Sequence, residues 1–343
     1  MQKTLLLKKL NKEATARPPV WFMRQAGRVL PSYNKIKENY SFREMMANPE
    51  IAADVTLLPI KDLGVDAAIL FSDILVVPVA MGMELEWTAN GPLFPTPLSN
   101  YLSPVDHLNT SPQKLEHIYQ VIDEIIEKRD NSTPLIGFCG SPLTTMCYML
   151  QGESRKHDFP EAVKFLYQNE RESQKLIDAI TELSVYYAQK QIEHGVDVFQ
   201  LFETHAGLIP FELYQEFFIP AVEKISNAVR SKGTPFIYFP KGLGTGLKYV
   251  TPDLCDYVSI DWQMPLTDAR QLVHSEVGLQ GNIDPRLLYS SKERISKELE
   301  KYKSYFANNN NRWIMNLGHG FLPDIPFENA KFVVDWVKNS KWY

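Results

Sequence analysis

Short apolar runs alternating with longer segments of helical periodicity constrain the fold of this 343-residue chain more than any other feature. The runs occupy residues 19–23, 66–71, 134–138, 197–202, 235–239, 257–260, 279–283 and 313–317. Between them, apolar residues recur three or four apart, as at Leu176, Ile180, Leu183 and Tyr187, or at Ile118, Ile122 and Ile125. That spacing predicts helices with one buried face. A short continuous apolar strand followed by a helix is the unit of a parallel sheet covered on its outer side. Eight such units predict a closed (β/α)₈ TIM barrel, with an open doubly wound sheet as the alternative. No linker interrupts the alternation, so one domain spanning residues 1–343 is expected. The strand-like Glu84-Leu85-Glu86-Trp87 and the proline-rich piece after it read as an excursion from the second barrel strand. The polar residues 308–311 read as a surface turn before the eighth strand.

Composition removes several classes of function. A net charge of -5 argues against a general nucleic-acid binder, which would carry a basic excess. No segment approaches the apolar length of a membrane span. The Leu5-Leu6-Leu7 run is too short for a signal-peptide core, and Cys139, Cys147 and Cys255 show no Cys-x-x-Cys spacing. These features predict a cytoplasmic protein with buried, reduced thiols, in which the glycosylation triplet Asn131-Ser132-Thr133 goes unused.

In a barrel the carboxyl ends of the strands converge on one mouth, where active sites lie. The polar residues of interest all fall there. Arg24 and Arg28 follow the first run, Ser72 and Asp73 the second, and Gly140 and Tyr148 the third. Glu203, Thr204 and His205 follow the fourth, Lys241 the fifth, and Asp261 and Trp262 the sixth; Asn282 and Asp284 end the seventh, and His319 the eighth. In Met23-Arg24-Gln25-Ala26-Gly27-Arg28, small residues leave the backbone bare between two guanidinium groups, a clamp suited to carboxylates.

Asp73 is flanked by apolar residues on both sides, and burying its charge is costly unless donors or a cation meet it. It reads either as a helix cap or arginine partner, or as a carboxylate reserved for a ligand carrying N–H groups or positive charge. His319 lies between Gly318 and Gly320 and reads as a ligand contact; His107, His117, His157, His194, His205 and His274 read as solvated. Gly242-Leu243-Gly244-Thr245-Gly246 is no phosphate loop, because Lys241 precedes the glycines rather than closing them.

Over residues 19–334 the chain resembles the uroporphyrinogen decarboxylase family. The carriers are Met23-Arg24-Gln25-Ala26-Gly27-Arg28, Phe71-Ser72-Asp73-Ile74-Leu75, Leu135-Ile136-Gly137-Phe138 and Phe239-Pro240-Lys241-Gly242, followed by Leu279-Gln280-Gly281-Asn282-Ile283-Asp284-Pro285 and Asn316-Leu317-Gly318-His319-Gly320. The resemblance implies removal of CO₂ from the four acetates of uroporphyrinogen III, giving coproporphyrinogen III. It also implies a homodimeric barrel without metal or organic cofactor. The family's substrate contacts fall on Arg24, Gln25, Ala26, Gly27, Arg28, Asp73, Tyr148, Thr204 and His319, with Asp73 and Arg24 as the catalytic pair. Asn34 and Lys37 stand where some relatives have further arginines. The rival readings are a corrinoid-dependent methyltransferase, for which the His-x-Cys zinc pattern is missing, and a tetrapyrrole carrier without activity.

Overall fold

A computed structural model describes residues 4–88, 91–153, 158–309 and 312–342. Its strands are β1 (Ala68–Ile69), β2 (Glu86–Thr88), β3 (Gly91–Leu93), β4 (Leu135–Gly140), β5 (Val198–Glu203), β6 (Phe236–Pro240), β7 (Tyr257–Ser259), β8 (Gly278–Gln280) and β9 (Trp313–Ile314). Seven of them form a parallel sheet in the order β1-β4-β5-β6-β7-β8-β9, and β2 pairs antiparallel with β3. The hairpin is the expected excursion after the second apolar run.

The first run departs from expectation. Residues 19–23 form a single parallel bridge, Val20 with Met315, rather than a full strand. Pro18 and Pro19 have no amide hydrogen to offer a ladder, and Arg24 turns left-handed at φ 61°. The run nevertheless occupies the gap between β9 and β1. Met315 N–H donates to Pro19 O at 2.9 Å on one side, and Asp66 N–H donates to Val20 O at 2.8 Å on the other. Arg17 grips Asp66 with both terminal nitrogens at 2.6 and 2.8 Å, and the same carboxylate accepts Val20 N–H at 2.8 Å. The sheet thereby curls into an α/β barrel, closed by backbone and side chain together.

Helices cover the outside with the faces that periodicity marks. Leu176, Ile180, Leu183 and Tyr187 of helix Glu170–Glu193 are buried, as are Ile118, Ile122 and Ile125 of helix Glu116–Lys128. Inside the barrel a polar line crosses the core: Trp21 Nε1–H donates to Gln280 Oε1 at 3.0 Å, and Gln280 Nε2–H donates to Gln200 Oε1 at 3.0 Å. Of the polar residues 308–311 expected as a turn, Asn308 and Asn309 belong to helix Lys292–Asn309, and Asn310 and Asn311 lie outside the described residues.

Candidate active site

The clamp loop is built by three tethers. Arg24 takes the left-handed conformation at φ 61°, which is uncommon for a residue with a Cβ and requires local support. Gln25 supplies much of it: fully buried, it accepts Phe22 N–H at 3.0 Å and donates to Ala67 O at 2.8 Å. Asn316 Oδ1 accepts Met23 N–H at 3.1 Å, and Phe321 N–H donates to Met23 O at 3.1 Å. The two arginines are left exposed, with Ala26 and Gly27 half-buried between them. Gly320 lets the stem of Arg24 pass, since a Cβ there would lie 2.4 Å from Arg24 Cδ. Among the described residues, neither arginine pairs with a carboxylate at ion-pair distance.

Asp73 lies just past β1, half-buried, and its Oδ1 accepts Leu75 N–H at 2.8 Å. Burial raises its pKa above the ordinary carboxylate range, while the Leu75 N–H and the nearby positive charge of Arg24 oppose the rise. Tyr148 sits on helix Pro142–Gln151, its ring 5.3 Å from Phe159. Burial and then Asp73 raise its hydroxyl pKa, and Arg24 opposes them. His319 accepts Gly320 N–H on Nδ1 at 2.7 Å, so the neutral ring carries its proton on Nε2. Burial, Arg24, Lys241 and His205 together push its pKa down to about 3, which keeps it neutral near pH 7.

These mutual electrostatic effects join Arg24, Asp73, Tyr148 and His319 in one neighbourhood, with Lys241 and His205 at its edge. Arg28 stands apart; its charge acts on the buried hydroxyl of Tyr33. Thr204 is half-buried at the end of β5. Gln25 faces inward, holding the loop with its amide. Lys241 Nζ lies 5.7 Å from the Trp262 ring centroid, with the Arg286 guanidinium 5.3 Å from the same ring. Arg286 is neutralised by Asp284 at 2.9 Å, whereas Lys241 has no such partner among the described residues.

The reading of six solvated histidines needs correction. His205 is half-buried, with Phe159 4.6 Å and Tyr148 6.2 Å from its ring. Its place follows from the strand end it shares with Glu203, a signal outweighed by its polar neighbours in sequence. His117 is also half-buried, and burial lowers its pKa. His194 pairs with Asp123 at 2.7 Å, His107 and His274 are exposed, and His157 lies outside the described residues. All three cysteines are buried free thiols whose pKa values burial raises. Among the described residues no three His, Cys, Asp or Glu side chains are grouped to hold a metal ion.

Two solved architectures agree on the barrel. A methyltransferase from Methanosarcina mazei matches with TM-score 0.79 over 98% of this chain and 99% of its own, at 21% identity. A B12-independent methionine synthase from Shewanella sp. W3-18-1 matches at TM-score 0.57 and 11% identity, over 87% of this chain and 90% of its own. Such identities speak for the fold alone. Sequence relatives go further. A uroporphyrinogen decarboxylase of Christiangramia forsetii is 39% identical over 342 residues, covering 98% of each chain. One from Ruthia magnifica subsp. Calyptogena magnifica is 38% identical over 336 residues, 96% of each. The family profile for uroporphyrinogen decarboxylase (URO-D) matches residues 1–340. With both the profile and these relatives spanning nearly its whole length, the chain belongs to the uroporphyrinogen decarboxylase family.

Proposed function

We propose that this protein removes CO₂ from the four acetate side chains of uroporphyrinogen III, yielding coproporphyrinogen III in tetrapyrrole biosynthesis. The observation that carries the site assignment is that Asp73, a barrel-mouth carboxylate, lies within the electrostatic reach of Arg24, an arginine that no carboxylate neutralises at ion-pair distance among the described residues.

The chemistry explains why such a pair suffices. Loss of CO₂ from an acetate needs somewhere to put an electron pair, and decarboxylases commonly recruit a cofactor for it. An electron-rich pyrrole supplies its own sink. A proton added to a ring carbon makes the ring cationic, and as the bond to CO₂ breaks its electron pair flows into that ring. The exocyclic carbon then takes a proton, and the ring returns the one it gained. Asp73 accepts hydrogen bonds from pyrrole N–H groups and stabilises the cation, the sign-reversed counterpart of an oxyanion hole. Arg24 lies beside the reacting acetate, and Arg28 holds a carboxylate further out. Ala26 and Gly27 keep the space between them open, while Gln25 contributes through the loop it holds. Neutral His319 offers Nε2–H, and Tyr148 and Thr204 offer hydroxyls, to the substrate's carboxylates.

In the same proposal the chain is a single domain over residues 1–343. It works as a cytoplasmic homodimer without metal or organic cofactor, and it binds neither nucleic acid nor membrane. The acidic net charge of -5 supports the part of this reading that concerns nucleic acid, and no described helix is long and apolar enough to cross a membrane. The test is anaerobic incubation with uroporphyrinogen III, oxidation of the products and mass analysis. Species short by one to four CO₂ are expected, undiminished after exhaustive chelation. Their absence would overturn the assignment, and activity lost on chelation and restored by zinc would overturn the metal-free mechanism.

A further inference from the structure

Glu203 is fully buried at the end of β5, with no cation beside it among the described residues. Its contacts explain why it is tolerated. Glu203 Oε2 accepts Leu143 N–H at 3.2 Å, and Oε1 accepts Thr144 N–H at 2.9 Å and the Thr144 hydroxyl. Those amides belong to the first turn of helix Pro142–Gln151, whose own N-cap, Ser141, makes no side-chain capping bond. The cap is supplied by a strand sixty residues away. Thr144 Oγ1 in turn accepts His205 N–H at 3.3 Å, and Ser141 N–H donates to Phe202 O at 2.9 Å. One carboxylate thus joins the strand end bearing Thr204 and His205 to the helix bearing Tyr148, one turn beyond Thr144.

We propose that Glu203 is a positioning residue: by capping helix Pro142–Gln151 from β5 it sets Tyr148 in register with Thr204, His205 and Asp73 at the mouth. The proposal rests on the decarboxylase reading only for its kinetic readout. A displacement of about 1 Å in such a frame is enough to cost roughly a hundredfold in rate.

The cap is also sensitive to protonation. Burial raises the Glu203 pKa to about 7, against the hydrogen bonds that it accepts from Thr144. Ionised, the carboxylate accepts from every helix donor that faces it; protonated, one oxygen becomes a donor and part of the cap is lost. The groups facing it are Cys147 on the capped helix, Tyr214 on helix Phe211–Phe217 and Tyr238 on β6. All three have pKa values raised well above their ordinary ones, so they stay neutral as Glu203 titrates.

The experiment places 3-fluorotyrosine in the full-length protein and follows the Tyr148 fluorine signal by NMR, assigned with Tyr148→Phe. No substrate is needed. In the wild-type protein the signal should move with a midpoint near pH 7, and Glu203→Gln should remove that movement. In parallel, Glu203→Gln should lower kcat about tenfold at pH 8 with KM changed less, and should remove from the kcat profile the step near pH 7 while leaving the one due to Asp73. Thr144→Val should weaken kcat and Thr144→Ser restore it, a comparison that serves even where the Gln variant fails to fold. A Tyr148 signal indifferent to pH around neutrality, one that titrates unchanged in Glu203→Gln, or a Thr144→Val enzyme with full kcat would overturn the proposal. A wild-type protein inert toward uroporphyrinogen would instead defeat the proposed function, with the fluorine titration still deciding the role of Glu203.

Discussion

Asp73→Asn separates electrostatic stabilisation of a cationic ring from a merely structural carboxylate. The substitution keeps the side chain's size and leaves an amide oxygen to accept Leu75 N–H in place of Oδ1, now at 2.8 Å, so the local turn should persist. What changes is the second oxygen, which becomes an NH₂ group with donors where pyrrole N–H groups need an acceptor. Removing one preorganised partner of a developing charge costs about 2.7–4 kcal/mol, or roughly 10²–10³ in turnover. Stability should move the other way. Burial raises the Asp73 pKa because the folded protein disfavours its charge, so at neutral pH the Asn variant should melt no lower than the wild type. The catalytic form is the ionised one, so wild-type kcat should fall as pH drops, through a midpoint above the ordinary carboxylate range. The assay pairs anaerobic turnover of uroporphyrinogen with thermal melting across pH. A folded Asn variant with wild-type turnover would refute the reasoning, and one with full turnover but a much lower melting temperature would reassign Asp73 to structure.

Four further perturbations follow from the geometry. Arg28→Ala removes charge-assisted hydrogen bonds worth about 1.5–3 kcal/mol and should raise KM about tenfold or more with a smaller effect on kcat, read from steady-state kinetics. Gly320→Ala puts a Cβ 2.4 Å from Arg24 Cδ, so the arginine must shift; kcat/KM should fall about tenfold while circular dichroism is unchanged. Asp66→Ala strips both carboxylate contacts from Arg17 and the acceptor from Val20 N–H, and should cost about 3 kcal/mol in denaturant unfolding. His319 is held neutral down to about pH 3, so its stabilisation is complete above its unfolded pKa of 6.5 and is lost as pH falls toward 3; His319→Gln should flatten that part of the melting-temperature profile.

Much of the site was legible because a parallel barrel turns sequence position into spatial position. A polar residue at the end of an apolar run lies at the mouth, which is how Arg24, Asp73 and His319 became candidates, while the family resemblance singled out Tyr148 and Thr204 among the other strand-end residues. Orientation was not legible in the same way. Gln25 belongs to the clamp motif, yet its amide turns inward to Phe22 and Ala67. His205 resembles any loop histidine until Phe159 and Tyr148, distant in sequence, close around it.

The sequence by itself determined the alternation of strand and helix, the buried helix faces and the order in which polar residues reach the mouth, because these depend on period and on neighbours a few positions away. Tertiary structure alone decided how the barrel closes and which charges work together. Residues 19–23 complete the ring through a few hydrogen bonds to Met315 and Asp66 rather than through a strand of their own. Glu203 caps a helix that begins sixty residues earlier, and the charge of Arg24 acts on Asp73 and His319, which follow the segments on either side of it. Such pairings join residues far apart in sequence, and their strength depends on the water excluded when the barrel closes, a quantity no local pattern of residues contains.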